Sequence, residues 1–258
     1  RWMEMGSQIQ PRSKMYLVIG NPLKNSISDQ VYTKLFKRFS LDAFIEKIEI
    51  DPFNFKNQWK SLMKLDIAGC IVTMPFKNHF CSFPINTIKF NQKSTSFFST
   101  DGKAVFSLIQ EKKSPKSLLI IGTGATAQSI SIEAQAHGVR VMHLSRSKNR
   151  DSRVIRSDQV DLSKFDAIIN ATPCGMEGYP IQPDLPLTFS KDVLMVDVVY
   201  QKKETAFISN AKKMGCDTIC GKEMFIRQGA LQFSYLFDMD WEQVNPLFAE
   251  YVQKILNA

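Results

Sequence analysis

The sequence lacks the features that mark membrane and secreted proteins. No apolar run in its 258 residues approaches the roughly 18 residues that a membrane-spanning helix needs. Residues 1–14, RWMEMGSQIQPRSK, have no apolar centre of the kind found in secretory signal peptides, and the chain does not begin with methionine. We therefore interpret residues 1–14 as a linker or a segment added for expression, and we predict a cytoplasmic protein without a membrane partner.

Metal-binding and hydrolase patterns are also missing. The five cysteines are an odd number, and no two of them are spaced as CxxC. No HExxH occurs. Of the three histidines, we interpret His137, near the end of a helix, and His143, near the end of a strand, as structural or exposed. Nothing in the sequence pairs His79 with a serine or cysteine nucleophile. We therefore predict reduced thiols, no metal site and no hydrolase triad.

Positive charge is in excess, with 33 lysines and arginines against 25 aspartates and glutamates and a net charge of +8. The basic residues are spread along the chain and are not interleaved with aromatic residues, as nucleic-acid-binding segments would require. Their densest cluster, RSKNR at 146–150, is short and follows a strand-like run. We predict no nucleic-acid partner and expect this cluster to bind a small polyanionic ligand, with a solvated loop as the alternative.

Hydrophobic periodicity predicts a first series of strands alternating with helices, at residues 15–20, 26–41, 43–50, 55–66 and 68–74. Strands that are connected by helices form parallel sheets with covered faces. The next stretch, 77–102, is irregular. We interpret it as a short connection, a hairpin around Asn91–Gln92 and a turn.

A second series of the same kind begins after a boundary near Asp101–Gly102. It comprises predicted strands and helices at residues 118–122, 126–138, 139–144, 165–172, 193–200, 205–215 and 216–221. From about Phe225 the chain is predicted to be helical to its end. The sequence therefore predicts an α/β protein of two lobes.

The second series opens with a glycine-rich turn that fits GxGxxG/A, formed by Gly122, Thr123, Gly124, Ala125, Thr126 and Ala127. The pattern is weak alone, but here it follows a strand and opens a helix, which is the context of a dinucleotide site. Gly122 would permit the tight turn, and Gly124 would let the backbone approach a pyrophosphate at the helix N-terminus. The alternative is an ordinary tight turn between strand and helix.

A carboxylate is missing where NAD sites carry one, at the end of the second strand of this series. Ser145, Arg146 and Ser147 stand there instead. Arg146 is placed to pair with a ribose 2′-phosphate, helped by the flanking hydroxyls and by Lys148 or Arg150. We therefore predict NADP rather than NAD as the cofactor.

A nicotinamide enzyme without metal needs a proton donor for the oxygen of the carbonyl that receives the hydride. Lys77 follows the predicted strand of IVTMPFK (71–77), where Pro75 ends the ladder of hydrogen bonds. Asp101, in STDG at the lobe boundary, is the candidate acidic partner. Most lysines are solvated surface charges, and that is the alternative for Lys77.

Nine short segments, taken in order, resemble the shikimate dehydrogenase family from Tyr16 to the C-terminus. They are VIGNPLKNSIS (18–28), IVTMPFK (71–77), INTI (85–88), STDG (99–102), IIGTGATAQS (120–129), LSRS (144–147), IINATPCGM (168–176), VDVVY (196–200) and GKEMFIRQGA (221–230). Each segment is short, but their order and chemistry together are specific.

The resemblance implies a role for each matching residue. Lys77 and Asp101 would be the catalytic pair. The residues implied to bind the substrate are Ser26, Ser28 and Tyr200 for its carboxylate, and Thr73, Asn86 and Gln228 for its ring hydroxyls. The further residues implied to contact the cofactor are Asn170, Ala171, Thr172, Gly221 and Met224. The alternative for the serines is a helix N-cap, and for the hydroxyl ligands a turn or cap hydrogen bond.

The resemblance also implies domains and a reaction. Residues 15–101 with 225–258 would form an open, mostly parallel substrate-binding lobe to which the C-terminal helices return. Residues 102–224 would form a Rossmann-like NADP-binding lobe. The implied activity is the reversible reduction of 3-dehydroshikimate to shikimate, on the route to chorismate and aromatic amino acids. A homodimer or a dehydratase domain fused upstream is the implied partner.

The sequence departs from the family pattern at several positions. A helix expected between Lys77 and Asn86 is absent, Asp29 replaces a proline after the serine pair, and Ser99 replaces an asparagine. These departures leave two alternatives open. The alternatives to the implied shikimate dehydrogenase are a related dehydrogenase that acts on quinate or an amino analogue, and a non-catalytic protein that binds a cyclitol or NADP.

Overall fold

A computed structural model describes residues 13–92, 94–145, 154–155, 160–181, 183 and 190–257. The chain divides into two compact units, one formed by residues 1–100 with 229–258 and the other by residues 101–228. The predicted domain limits stay predictions, and residues 1–12 of the predicted linker lie outside the described part of the chain. Within that part, every helix is too short or too polar to cross a membrane.

The first unit is built on a five-stranded sheet with the order β2-β1-β3-β4-β5. Its described strands and helices are β1 (Lys14–Gly20), α1 (Ser28–Arg38), β2 (Ala43–Glu49), α2 (Phe55–Leu62), β3 (Ile67–Val72), β4 (Thr87–Asn91) and β5 (Ser94–Phe98), followed after the second unit by α7 (Trp241–Leu256). Strand β1 pairs in parallel with β2 and β3, whereas β4 pairs antiparallel with β3 and β5. The predicted hairpin around Asn91–Gln92 is therefore confirmed as β4 and β5.

The central strand explains where the core of this unit lies. Residues 16–20 of β1 are all buried, and Leu17, Val18 and Ile19 are almost fully so. Such a run suits a strand covered on both faces. On one side Leu17 and Ile19 pack with residues of β3 and with Phe76 and Ile85. Helix α1 contributes a buried stripe of Val31, Tyr32, Leu35 and Phe36, which matches the predicted helical spacing.

The second unit is built on a parallel sheet whose described strands have the order β8-β7-β6-β9-β10-β11. Its described elements are α3 (Asp101–Lys112), β6 (Ser117–Ile121), α4 (Ala125–Ala136), β7 (Arg140–Leu144), β8 (Val154–Ile155), β9 (Ala167–Asn170), β10 (Leu194–Asp197), α5 (Ala206–Lys213), β11 (Thr218–Ile219) and the first part of α6 (Gly221–Phe237). Residues 229–237 of α6 belong to the first unit. Counted within the unit, this is the order 3-2-1-4-5-6 of dinucleotide-binding sheets. The order reverses between β6 and β9, and their carboxyl ends are therefore the expected ligand site.

Three elements differ from the sequence prediction. Residues 101–112 form α3, whereas we predicted a turn up to Gly102 and assigned no element to residues 103–117. Its buried positions Ala104, Val105, Leu108 and Ile109 have helical spacing. Strand β8 spans only two residues, too few for a periodic signal. The C-terminal helical stretch is divided into α6 and α7, and Asp240 caps α7 by accepting a hydrogen bond from the backbone N–H of Glu242 at 3.0 Å.

Candidate active site

The glycine-rich turn leaves β6 at the point where the strand order reverses. Gly122 has φ of +105°, a conformation that favours glycine, and an added Cβ would lie 3.0 Å from Cγ2 of Thr172. Gly124 is extended, and an added Cβ there would meet nothing within 4 Å. The two glycines thus serve different needs: Gly122 makes the turn and allows close packing, while Gly124 leaves open space beside the backbone.

The turn leads directly into a helix that has no side-chain cap. Gly124 is the N-cap of α4, and glycine has no side chain that could accept a hydrogen bond from the first amide groups. Uncapped N–H groups and the helix dipole favour an anion at this end of a 12-residue helix. Ala127 is fully buried, as the predicted close packing of helix on strand requires. The residues present therefore fit a dinucleotide phosphate.

A histidine that we did not assign to the site holds the turn in place. Nδ1 of His143, on β7, lies 2.9 Å from the carbonyl oxygen of Gly122, and the backbone N–H of Gly122 donates to the carbonyl oxygen of Leu144 at 2.8 Å. Because a carbonyl oxygen only accepts, Nδ1 of His143 carries the proton. His143 is buried, so its role is structural, as we expected for this histidine.

The second edge of the candidate cofactor site is the segment that follows β9. Asn170 is fully buried, and its Oδ1 accepts hydrogen bonds from the backbone N–H and the hydroxyl of Thr172, at 3.1 and 2.6 Å. Its Nδ2 donates to the carbonyl oxygen of Cys174 and to Oδ1 of Asp197, at 3.1 and 3.0 Å. One side chain thus shapes the whole turn from 170 to 174.

Asp197, at the end of β10, anchors this network and was not among the predicted site residues. It is fully buried, and its carboxylate accepts from Asn170, from the backbone N–H of Val199 at 3.0 Å and from the hydroxyl of Thr205 at 2.5 Å. Burial raises the pKa of Asp197 to about 6, and the three hydrogen bonds oppose that rise. A lone carboxylate in VDVVY gives no sequence signal for such a network.

The residues predicted to select NADP are only partly described. Ser145 follows β7 and is half-buried. Arg146 and Ser147, with Lys148 and Arg150, lie outside the described residues. Their assignment to the 2′-phosphate stays a prediction.

In the first unit, Ser26 and Ser28 lie at the N-terminus of α1. The N-cap residue is Ile27, and its side chain does not cap the helix. The alternative that Ser26 or Ser28 is the N-cap is therefore wrong. Among the described residues, neither serine hydroxyl makes a hydrogen bond. Two hydroxyls beside uncapped helical N–H groups can bind a carboxylate, because both the donors and the helix dipole favour negative charge.

Lys77 lies on a short 3₁₀ turn, Phe76–Asn78, just after β3. The backbone N–H of Ile85 donates to the carbonyl oxygen of Lys77 at 2.9 Å, and Phe76 is fully buried beneath it. The segment 77–85 therefore closes on itself without the helix that the family pattern led us to expect. The ammonium-bearing side chain is half-buried.

An aromatic cluster supports this shortened segment. The Phe55 ring centroid lies 4.7 Å from that of Phe76 and 4.8 Å from that of His79. Trp59 and Phe80 meet edge to face with centroids 4.9 Å apart. Rings from α2 thus pack against rings of the segment itself, and such pairs stabilise beyond their buried area. His79 is explained by this packing rather than by catalysis.

Asn86 is buried in the same unit, and its side chain is hydrogen-bonded to Thr100. Its Nδ2 donates to the hydroxyl of Thr100 at 2.7 Å, and its Oδ1 accepts from the Thr100 backbone N–H at 3.1 Å. Gln232 of α6, which we did not predict, donates to the carbonyl oxygen of Asn86 and to the hydroxyl of Thr87, both at 2.8 Å. Asn86 thereby fixes the residue that directly precedes Asp101. Its predicted contact with a ring hydroxyl stays a prediction.

Asp101 begins α3 and is almost fully buried. The following Gly102 explains the glycine of STDG, since an added Cβ would lie 2.2 Å from the carbonyl oxygen of Ser129 on α4. The N–H of Gly102 also donates to the Ser129 hydroxyl at 3.1 Å. Gly102 therefore allows α3 to pack closely against α4, and this contact fixes the start of α3, where Asp101 lies.

Thr73 directly follows β3, and its backbone N–H donates to the carbonyl oxygen of Ile19 at 2.9 Å. Its predicted contact with a ring hydroxyl stays a prediction.

Four further predicted residues of the second unit lie in or next to the first turns of α6. The Tyr200 ring stacks on Phe225 with centroids 4.4 Å apart, and its buried hydroxyl has no hydrogen-bond partner among the described residues. Burial raises the pKa of Tyr200 to about 12. An added Cβ on Gly221 would lie 2.0 Å from the carbonyl oxygen of Val199. Met224 is buried in the core of the second unit, and Gln228 Nε2 donates to the carbonyl oxygen of Phe225 at 3.2 Å.

The sequence of this chain is similar to those of known proteins along most of its length. Residues 18–87 match the family model described as the shikimate dehydrogenase substrate binding domain. A relative from Pelagibacter ubique, named shikimate dehydrogenase (NADP(+)), is 28% identical over 264 residues, which cover 91% of this chain and 98% of the relative. One from Methanococcus maripaludis with the same name is 27% identical over 258 residues, covering 87% and 92%.

A solved structure agrees with these relatives. The crystal structure of a shikimate dehydrogenase in complex with NADP+ has a TM-score of 0.80 and 25% identity, covering 94% of this chain and 96% of that chain. The fold is therefore that of a two-unit α/β protein whose second unit is of the dinucleotide-binding, Rossmann type. The resemblance to the shikimate dehydrogenase family that the nine segments predict is confirmed over most of the chain.

Proposed function

We propose that this chain is an NADP-dependent shikimate dehydrogenase, which interconverts shikimate and 3-dehydroshikimate. One observation carries the proposal: the Gly122–Ala127 turn leaves the sheet at its switch point, in a chain whose relatives over most of its length are named NADP-dependent shikimate dehydrogenases. The open space at Gly124 and the uncapped α4 N-terminus fit the cofactor phosphates. NADPH supplies the hydride when it is bound.

The residues of this chain then bind the substrate and move one proton. The Ser26 and Ser28 hydroxyls, with Tyr200, bind the carboxylate. Lys77 gives a proton from its ammonium group to the carbonyl oxygen as the carbonyl carbon receives the hydride, and in the reverse direction it takes that proton back. Asp101 is the acidic partner, and Thr73, Asn86 and Gln228 bind the ring hydroxyls.

Three features support these roles within each unit. The serine hydroxyls make no hydrogen bond among the described residues, the Tyr200 hydroxyl is buried without a described partner, and the loop that bears Lys77 is closed by a backbone hydrogen bond over a buried phenylalanine. Groups held in this way need little reorganisation when a ligand arrives. We further propose a cytoplasmic location, and a homodimer or an upstream fused dehydratase domain as partner.

The test is steady-state kinetics with shikimate and with quinate, each with NADP+ and with NAD+. We expect the largest kcat/KM for shikimate with NADP+. A larger value for quinate would show that the related dehydrogenase is the better assignment. Binding of NADP+ without turnover of either substrate would favour a non-catalytic protein, and equal kcat/KM with NAD+ and NADP+ would contradict the cofactor assignment.

A further inference from the structure

The loop that carries Ser26 and Ser28 is fastened to the neighbouring strand β2 by two charged side chains. Side chains two residues apart on a strand point to the same face, and Lys47 and Glu49 are such a pair. Glu49 Oε1 accepts a hydrogen bond from the backbone N–H of Leu23 at 2.6 Å, and Lys47 Nζ donates to the carbonyl oxygen of Ser26 at 3.1 Å. Lys47 therefore touches the backbone of a predicted carboxylate ligand.

Lys47 also faces a carboxylate that the family pattern does not have. Asp29, which stands where a proline is expected, lies in the first turn of α1, and its Oδ1 is 3.5 Å from Lys47 Nζ. That oxygen is buried and makes no hydrogen bond among the described residues, so the contact with Lys47 is a charge contact. The two side chains are 30% and 25% exposed, which weakens their attraction without abolishing it.

The charge of Asp29 matters because of its neighbours. It directly follows Ser28, at a helix N-terminus that would otherwise attract an anionic ligand. A carboxylate at this place repels a second carboxylate bound to the serines, unless a cation compensates it. Lys47 is the cation within 4 Å of Asp29 among the described residues.

We propose that Lys47 and Asp29 form a charge pair that sets the affinity of the Ser26–Ser28 site for the substrate carboxylate. Lys47 acts as a positioning residue: it holds the carbonyl of Ser26, and it cancels the negative charge that Asp29 adds beside the site. This inference rests on the proposed function, because it takes shikimate as the ligand of that site.

Two single variants and the double variant distinguish an effect of the charge pair on ligand binding from mere support of the loop. Lys47→Met removes the charge and keeps the length of the side chain. Asp29→Asn removes the partner charge. Both side chains are partly exposed, so we use the bulk-water limit of Coulomb's law. For charges about 4 Å apart it gives on the order of a fivefold loss of affinity for one uncompensated charge near the ligand.

We expect Lys47→Met to raise KM for shikimate about fivefold, with kcat and the KM for NADP+ nearly unchanged. Adding Asp29→Asn to Lys47→Met should bring KM back to within about twofold of the wild-type value, because no uncompensated charge remains. The methyl ester of shikimate carries no charge, and its KM should change less than about twofold in Lys47→Met. Lys34→Met, an exposed change of the same charge on α1, is the matched control and should leave all values as in the wild type.

Three results would overturn the inference. Equal increases for shikimate and its ester would mean that Lys47 only supports the loop. An unrelieved increase in the double variant would mean that Lys47 acts on the ligand without Asp29, and an unchanged KM in Lys47→Met would mean that the pair has no effect.

Calorimetry with the same variants gives the dissociation constant of shikimate without requiring turnover. This test is therefore separate from the test of the proposed function. Wild-type protein that binds shikimate without turning it over would contradict the proposed function, while the charge pair would still be judged on the dissociation constants. Wild-type protein that binds no shikimate would overturn both.

Discussion

Replacement of Asp197 by asparagine tests the buried network beneath the candidate cofactor site. The carboxylate is fully buried, and its pKa is about 6 against an ordinary value of 3.8. Asparagine has the same shape, and its Oδ1 can still accept from Asn170 and from the N–H of Val199. Its Nδ2 would donate to the Thr205 hydroxyl, which now donates to Asp197.

The sign of the effect follows from the raised pKa. The folded state holds the Asp197 proton more tightly than the unfolded state does. The resulting stability is fully present below about pH 3.8 and is lost as pH rises through about 6. The whole shift corresponds to about 3 kcal/mol, at about 1.4 kcal/mol for each pKa unit. Between pH 5 and pH 8 the loss is about 1.4 kcal/mol, because at pH 5 the carboxyl is already ionised in the unfolded chain.

The assay is urea unfolding of the wild type and of Asp197→Asn at pH 5 and at pH 8. Other titrating groups are common to both proteins and cancel in the difference. The free energy of unfolding of the wild type should fall by about 1.4 kcal/mol more than that of the variant between these values. Parallel pH dependence in the two proteins would refute the reasoning, since it would mean that Asp197 does not titrate in this range.

Two further substitutions separate ligand binding from folding. Gly124→Val places its side chain in the open space beside the turn, so we expect the melting temperature to stay within a few degrees while the KM for NADP+ rises at least about tenfold; loss of stability without an effect on KM would contradict the assignment. Tyr200→Phe removes a buried hydroxyl that has no described partner, so the free energy of unfolding should stay equal or rise by about 1 kcal/mol while the KM for shikimate rises; an unchanged KM would remove Tyr200 from the carboxylate site.

Much of the fold could be predicted because local periodicity and connection length agree. Central strands such as β6, SLLII, are apolar runs, and strands that are connected by a helix pair in parallel. Helix α3 was not predicted because its small and apolar residues follow STDG directly, with no break in composition that would mark the start of a helix. The two-residue strand β8 shows no period at all.

Residues of the candidate site could be predicted only where the residue type and its position in the sequence together indicate a function. Glycines at fixed offsets, a lysine after a strand and a serine pair before a helix are such signals. His143, Asp197 and Gln232 were missed because each acts through a partner distant in sequence: His143 is 21 residues from Gly122, and Gln232 is 146 residues from Asn86. Asp29 and Lys47 are visible in the sequence only as two opposite charges, and their pairing needs the register of β2 beside β1.

The most direct measurement is the rate of NADP+ reduction by shikimate, followed by nicotinamide absorbance, in the wild type and in Lys77→Ala. The account predicts turnover in the wild type. It predicts a fall in kcat of about two to four orders of magnitude in Lys77→Ala, with the KM for shikimate changed only a few-fold. Near-normal turnover in Lys77→Ala would contradict the role of this lysine, and no reduction of NADP+ by the wild type would contradict the function itself.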